Sequence, residues 1–356
     1  MTRVIVGMSG GVDSSVAALL LREAGHEVRG VFMKNYEPLP GSNQPCPWEQ
    51  DQADVASVCE KLGIPWESWN FEKEYRTRVL EYFFREYEAG RTPNPDVLCN
   101  REIKFGVFLQ RALAEGFDAV ATGHYAQVRQ SGGKYQLLVA DDTRKDQTYF
   151  LHTLGQAELA RTYFPIGHLQ KSKVRSIAAK AGLSVASKPD SQGICFVGQV
   201  NITDFLKGKV IATPGQILTE AGSVVGEHQG LAFYTIGQRH GLGVGGGVPY
   251  YVAKKDTITN TLLVARGDKD PVLYASALQA TEASWVVGAT PAKRFTCAAR
   301  IRYRQPLEQC TISVHQNFLH VTFTQPQRAI TPGQAIVFYD SKVCLGGATI
   351  EKAVNY

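Results

Sequence analysis

Residues 7–14 read Gly7-Met8-Ser9-Gly10-Gly11-Val12-Asp13-Ser14, directly after the apolar run Val4-Ile5-Val6 and directly before Ser15-Val16-Ala17-Ala18-Leu19-Leu20-Leu21. A short β-branched run, a glycine-rich turn and an apolar stretch together predict a buried strand leading through a tight turn into a helix. Such a turn binds anions. Gly10 and Gly11 let backbone N–H groups approach a phosphate closely, Ser9 and Ser14 add hydroxyl donors, and the helix start adds partial positive charge. No Gly-Lys-Ser/Thr follows at the spacing of a Walker loop, so the expected ligand is a nucleotide phosphate held in another way. A purely steric turn would need one or two glycines, but not Ser9 and Asp13 as well.

Working outward, strand and helix signals alternate over the first 120 residues. Strands are expected at 4–6, 28–33, 66–71 and 119–122, and helices at 13–24, 49–62, 72–87 and 102–115, with Gly25 and Gly63 closing the first two helices. Alternation of this kind predicts an α/β domain, a parallel sheet with helices on both faces. Residues 37–47, rich in proline, read as a mobile loop. After Leu206 helical periodicity stops and short β-branched runs appear at 215–219, 250–254 and 261–265, then at 311–314, 319–324 and 335–339. Two small β-rich domains are therefore expected after the first, giving 1–205, 206–275 and 276–356, the last barrel-like. Gly241-Leu242-Gly243-Val244-Gly245-Gly246 formally matches a dinucleotide fingerprint, but Gly247-Val248-Pro249 cannot open a helix, so it reads as a loop.

A chain of 356 residues exceeds what one core usually serves, in keeping with three domains. It has neither a signal-peptide pattern nor a run of 18 apolar residues, so a cytoplasmic protein without a membrane partner is expected. The seven cysteines include no C-x-x-C pair, which argues against a disulfide framework and against a metal site of the usual spacing. Any cysteine that matters should act as a thiol. From residue 276 onward eight Lys/Arg face four Asp/Glu, so most of the net charge of +5 lies there. Five of those cations fall in residues 293–304, with aromatics between them. The run reads either as a solvated strand face or as a surface that follows RNA phosphates.

The loop Arg91-Thr92-Pro93-Asn94-Pro95-Asp96-Val97-Leu98-Cys99-Asn100 places Cys99 just before a predicted helix, where the helix dipole, Arg101 and Lys104 would favour a thiolate. Asp96 could serve there as acid or base. A second cysteine, Cys195, sits in Ser191-Gln192-Gly193-Ile194-Cys195-Phe196, where its apolar neighbours could equally bury it.

The Ser-Gly-Gly-x-Asp-Ser segment resembles the signature of the PP-loop ATP pyrophosphatases, which cleave ATP between the α- and β-phosphates. The wider set resembles the tRNA-specific 2-thiouridylase family, in order and over the full length. That set is residues 7–14, Thr92-Pro93-Asn94-Pro95-Asp96-Val97-Leu98-Cys99-Asn100, Ala121-Thr122-Gly123-His124-Tyr125, Lys145-Asp146-Gln147-Thr148-Tyr149-Phe150-Leu151 and Ser191 to Phe196. The resemblance implies an adenine nucleotide alpha-hydrolase-like fold and ATP, with Mg2+, used to adenylate O2 of the wobble uridine before a persulfide sulfur replaces that oxygen. It implies that Cys195 carries the persulfide, Cys99 is the paired nucleophile and Asp96 is the acid/base; no metal-ligating residues are expected. ATP would meet Gly7, Met8, Ser9, Gly10, Gly11, Val12, Asp13, Ser14, Met33 and Gly123. The target base would meet Asn94, Pro95 and Asp96, and the anticodon stem-loop of tRNA would meet His124, Lys145, Asp146, Gln147, Arg302, Tyr303 and Gln334. A persulfide relay protein or a cysteine desulfurase is the implied sulfur donor. Another PP-loop adenylating ligase or amidotransferase, and a non-catalytic RNA-binding protein, stand as alternatives.

Overall fold

The computed structural model describes residues 1–37, 47–190, 202–245 and 247–355. Strand β1 (Arg3–Met8) pairs in parallel with β2 (Glu27–Lys34) and, on its other side, with β4 (Ala119–Ala121); β3 (Trp66–Asn70) lies beyond β2. With β7 (Thr162–Tyr163) the sheet has the order β3-β2-β1-β4-β7, all parallel. Side-chain alternation along β1 sends Ile5 into one core and Val4, Val6 and Met8 into another, all nearly inaccessible to water. The second core is completed by α1 (Val12–Glu23), α2 (Pro47–Leu62) and the helix Lys171–Lys180; the first is completed by the helical segments between Glu72 and Ala114. Both faces of the sheet are thus covered by helices, as the near-continuous apolar strands demand.

Strands β8 (Gly215–Thr219), β9 (Val224–His228), β10 (Tyr250–Asp256) and β11 (Thr261–Arg266) form a four-stranded sheet of order β10-β11-β8-β9 around Ile217, Val252, Leu262 and Val264. The glycine-rich stretch before β10 leads into a strand and not into a helix, which removes the dinucleotide reading; Gly246 itself lies outside the described residues. The last six strands are β12 (Tyr274–Trp285), β13 (Arg294–Arg300), β14 (Glu308–Val314), β15 (Leu319–Arg328), β16 (Ala335–Asp340) and β17 (Val343–Val354). Their order is β12-β15-β14-β13-β16-β17, and β17 pairs back onto β12, so they close as a six-stranded barrel. Closure removes the exposed edges that an open sheet of this size would carry.

One feature of the topology was not anticipated from the sequence. The hairpin β5 (Ala126–Ser131) and β6 (Lys134–Val139) belongs to the first 205 residues, yet β6 pairs with β17 through Leu137↔Cys344 and Leu138↔Val343. The Gln156 side-chain amide ties the same hairpin to the barrel by donating to the carbonyls of Tyr135 and Val286, both at 2.8 Å. The helix expected at 102–115 also starts earlier. Asn94 caps it, its Oδ1 accepting from the N–H groups of Asp96 and Val97, and Pro95 takes the first turn, where a missing N–H costs nothing. The helix then runs through Pro95–Leu98, Cys99–Val107 and Phe108–Ala114; its middle part is π-helical, with the Phe108 N–H bonded to the Ile103 carbonyl.

The seam between the α/β domain and the barrel carries buried polar contacts. The Tyr149 hydroxyl donates to the Ala335 carbonyl at 2.9 Å, and Thr148 Oγ1 lies 3.2 Å from the Tyr339 hydroxyl. His152 is buried, its Nδ1–H donating to the Tyr149 carbonyl at 2.9 Å, and burial pushes its pKa down from 6.5 to about 4. Because the folded-state pKa lies below the unfolded one, the unfolded chain binds the extra proton between these values. The contribution of neutral His152 is therefore complete above pH 6.5 and is lost as pH falls toward about 4. Urea-unfolding free energy should fall by about 1.4 kcal/mol per pH unit for this one group across that window. In His152→Asn the fall should be shallower by about one proton, and an unchanged pH slope would rule the linkage out.

Candidate nucleotide and thiol site

The turn after β1 is built around Gly10, whose φ of +70° favours glycine. A Cβ there would also stand 2.6 Å from the Asp51 carbonyl oxygen, because α2 packs onto the loop. Gly11 precedes the first turn of α1 in an extended conformation and makes no side-chain cap, so the α1 N-terminus keeps N–H groups available for an anion. Ser9 is exposed; its N–H donates to Ser14 Oγ at 3.1 Å, and Ser14 Oγ in turn donates to the Gly11 carbonyl at 3.2 Å. Met8 and Val12 point into the core and hold the turn from below. Two distant residues from the expected set join it. A Cβ on Gly123 would lie 2.6 Å from the Ser14 nitrogen, and a Cβ on Gly7 would lie 3.1 Å from Met33 Cε. The structure thus brings the loop, Gly123 and Met33 together, and the close approach at Gly123 explains its lack of a side chain.

Sequence reasoning missed the charges around this loop. Lys171 Nζ lies 2.7 Å from both Asp13 carboxylate oxygens and 2.8 Å from Asp190, while Tyr125 donates its hydroxyl to Asp13 at 2.9 Å. Lys188 Nζ donates to the Gly10 carbonyl at 3.0 Å and to Asp51 at 2.6 Å. Partial burial alone would raise the Asp190 carboxyl, but hydrogen bonds from Lys145 and Lys171 outweigh it and hold its pKa down to about 2. Burial first, and Asp13 second, push the Tyr125 phenol up, so it stays a donor. These lysines bring positive charge to the loop from far along the chain, 158 residues away in the case of Lys171 and Asp13. The only local signal was the charged start of the segment Lys188-Pro189-Asp190.

Cys99 does not sit just before a helix. The cap at Asn94 places it inside, at the start of the π-helical part, and it is fully buried in the same core as Met33, Phe105 and Phe108. The polar setting expected from its neighbours is corrected accordingly: Arg101 and Glu102 face outward, and Cys99 takes the core-facing position of that turn. Asp96 is half-buried in the first turn. Asn94, Val97, Leu98 and Arg101 form one wall of a cleft whose other wall includes Gly333, Ala335 and Thr349 of the barrel. The helix also reaches the nucleotide loop. Phe105 packs at 5.9 Å on the ring of His124, the residue after Gly123, and Lys104 helps burial to hold the His124 imidazole neutral. Cys195 lies outside the described residues.

The residues expected at tRNA divide into two groups. His124 and Asp146 are buried: His124 Nδ1 lies 2.8 Å from Thr122 Oγ1, and Asp146 accepts from the Thr148 hydroxyl at 2.8 Å. Lys145, Gln147, Arg302, Tyr303 and Gln334 are half-buried. Lys145 pairs with Asp190 at 2.7 Å, Gln147 accepts from the Tyr125 N–H, and Tyr303 packs at 4.5 Å on Phe150. The basic run 293–304 does not form one face. Lys293, Arg294 and Arg304 are exposed, whereas Arg300 turns inward toward Asp146 at 3.9 Å and Arg302 donates to the Ile236 and Ala329 carbonyls and to Thr331.

Residues 2–199 match the family described as the tRNA methyl transferase HUP domain, 203–266 the tRNA methyl transferase PRC-barrel domain, and 275–350 the aminomethyltransferase beta-barrel domain. The tRNA-specific 2-thiouridylase MnmA of Alkaliphilus oremlandii is 52% identical over 358 residues, 99% of this chain and 98% of the relative. The protein of the same name from Halalkalibacterium halodurans is 52% identical, covering 99% and 96%, and that from Pseudomonas putida 51%, covering 99% and 95%. The chain belongs to the tRNA-specific 2-thiouridylase family. Its first domain is accordingly of the HUP type, a nucleotide-binding architecture, and no helix among the described residues is long and apolar enough to cross a membrane.

The packing at Gly123 gives a direct check on the nucleotide loop. In Gly123→Ala the new methyl group pushes on Ser14 and Asp13, so nucleotide affinity in calorimetry with a non-hydrolysable ATP analogue should fall by at least about tenfold, with the circular dichroism spectrum unchanged. Unaltered affinity in a folded variant would place the nucleotide elsewhere.

Proposed function

We propose that this chain is an ATP-dependent tRNA uridine 2-sulfurtransferase acting on the wobble position of the anticodon. The observation that carries the reading is the meeting of a phosphate cradle with the thiol-bearing helix: Gly123 touches the loop, and Phe105 of the helix packs on its neighbour His124. Chemistry on a nucleotide phosphate and chemistry at Cys99 and Asp96 are thereby held in one domain.

The cradle suits ATP. Its glycines at 10 and 123 leave no room for a Cβ, and Ser9, Ser14 and the α1 N-terminus offer donors to phosphate oxygens. Lys171 and Lys188 supply cations, and Asp13 would hold Mg2+ once Lys171 turned from it to the phosphates; the ion would supply neutralisation of phosphate charge. Asn94, Pro95 and Asp96 position the target base, which must leave its stack to be reached. Uridine O2 attacks the α-phosphorus of ATP, the bond to the β-phosphate oxygen breaks and pyrophosphate leaves, while Asp96 handles the uridine proton and O2 becomes the adenylated leaving group. The terminal sulfur of a persulfide on Cys195 then attacks C2, and the C2–O bond breaks with release of AMP. Cys99 attacks Cys195 Sγ, the bond between Sγ and the transferred sulfur breaks, and a Cys99–Cys195 disulfide remains for a thiol reductant to open. Lys145, Gln147, Arg302 and Tyr303 border the tRNA side, and a persulfide relay protein or cysteine desulfurase loads Cys195. A methyl-transfer reading follows only the wording of two of the family descriptions; an amidating ligase would need no cysteine pair.

The test is nucleoside mass spectrometry of tRNA treated with the enzyme, ATP and a persulfide donor. A sulfur-for-oxygen gain at the wobble uridine is expected; a methyl or amino gain would replace this reading with one of the others. Cys195→Ser should fail to accept labelled persulfide sulfur, whereas Cys99→Ser should accept it and stall. Equal loading of both variants would contradict the division of roles.

A further inference from the structure

Residues 92–95 read Thr92-Pro93-Asn94-Pro95, so two of four consecutive residues have no N–H, and this loop cannot fold back on itself through its own donors. The barrel supplies what is missing. The Thr92 N–H donates to the Pro332 carbonyl at 2.9 Å, and one side-chain nitrogen, Gln334 Nε2, donates to the Thr92 carbonyl at 2.9 Å and the Pro93 carbonyl at 3.2 Å. Gly333, with φ of +89°, sits so close that a Cβ would stand 2.9 to 3.0 Å from three Thr92 backbone atoms. The supporting turn is itself fixed. Thr331 is buried and receives a hydrogen bond from Arg302, and the Gln334 carbonyl accepts from the Ile350 N–H in the barrel wall. The next residue after the two braced carbonyls is Asn94, whose side chain starts the helix carrying Asp96 and Cys99.

We infer that Gln334 is a positioning residue: from the barrel it holds the Thr92 and Pro93 carbonyls, and so fixes the Asn94 cap and the orientation of Asp96 and Cys99. Both of its N–H bonds are engaged in this, which leaves only Oε1 for an RNA contact. The inference rests on the proposed sulfur-transfer reaction for its effect on turnover, but not for its effect on Cys99. The barrel then acts on catalysis through the loop it props, as well as through any RNA it binds.

The experiment uses the full chain, reduced beforehand with a thiol reagent. Gln334→Ala and Gly333→Ala, each confirmed as folded by thermal unfolding, are compared with the parent in three readouts: kcat for thiolation, Kd for tRNA, and the rate of Cys99 alkylation by iodoacetamide, read from the mass of its peptide. Loss of a bond of this kind should lower kcat by about tenfold, leave Kd within about twofold, and raise Cys99 alkylation several-fold as the helix start loosens. Gly333→Ala keeps the amide but pushes on Thr92 and should show the same pattern. Unchanged Cys99 alkylation in folded Gln334→Ala overturns the inference, as does undiminished kcat, and a loss confined to tRNA Kd makes Gln334 an RNA contact only. If the parent enzyme does not thiolate tRNA, the reaction assignment fails, while the alkylation comparison still decides the brace.

Discussion

The arrangement depends on one continuous hydrogen-bonded join, the pairing of hairpin β5–β6 with strand β17. Six strands already close the barrel, and this hairpin extends its sheet from the outside with strands of the α/β domain. Directly beneath it, Thr148, Tyr149 and His152 are buried against β16 and β17, with the Tyr149 hydroxyl bonded to Ala335. An unpaired donor or acceptor at such depth would cost about 1 to 3 kcal/mol, so the seam resists both sliding and opening. The helix from Asn94 is gripped by it in turn, since the Asn100 side chain donates to the Phe150 carbonyl and Phe150 packs on Tyr303. Domains that look separable in the sequence are therefore parts of one frame around the Asp96 and Cys99 helix.

What was legible in the sequence was local. The strand, glycine turn and helix at residues 3–23, the parallel sheet and the short strands of the two later domains each follow from periodicity and turn residues within a few positions. What was not legible needed residues far apart in the chain. The hairpin at 126–139 is half-polar and looks like surface structure until β17 covers one edge of it. Lys171 and Lys188 look like ordinary helix and loop cations until the fold sets them on Asp13 and Gly10. The cluster 293–304 reads in the sequence as one face, either solvated or following RNA phosphates, whereas the fold turns Arg300 inward and Arg302 into the join between domains. Cys99 was misplaced by one turn because the asparagine cap lies five residues before it, and the helix signal was read only from Glu102.

The burial of Cys99 has a chemical consequence. In the proposed reaction, a thiol that attacks a persulfide only after the base has been activated gains from shielding, because an exposed thiolate would meet other disulfides and oxidants first. The fold provides that shielding by packing Cys99 with Phe105 and Phe108, and the π-helical turn that begins at Cys99 is of a kind often found at functional sites. At the nucleotide end, the ion pairs of Lys171 with Asp13 and Asp190 keep a highly charged loop compact before phosphates arrive.

The central claim is that a nucleotide phosphate bound at residues 7–14 activates the uridine carbonyl oxygen. Its most direct test is to follow that oxygen. An anticodon stem-loop carrying heavy oxygen at O2 of the wobble uridine is thiolated in a single turnover, and the AMP released is analysed by mass spectrometry. Heavy oxygen in the AMP phosphate is the expected result, one label for each sulfur installed. Thiolated RNA together with unlabelled AMP would mean that the oxygen leaves by another route, and would contradict the claim.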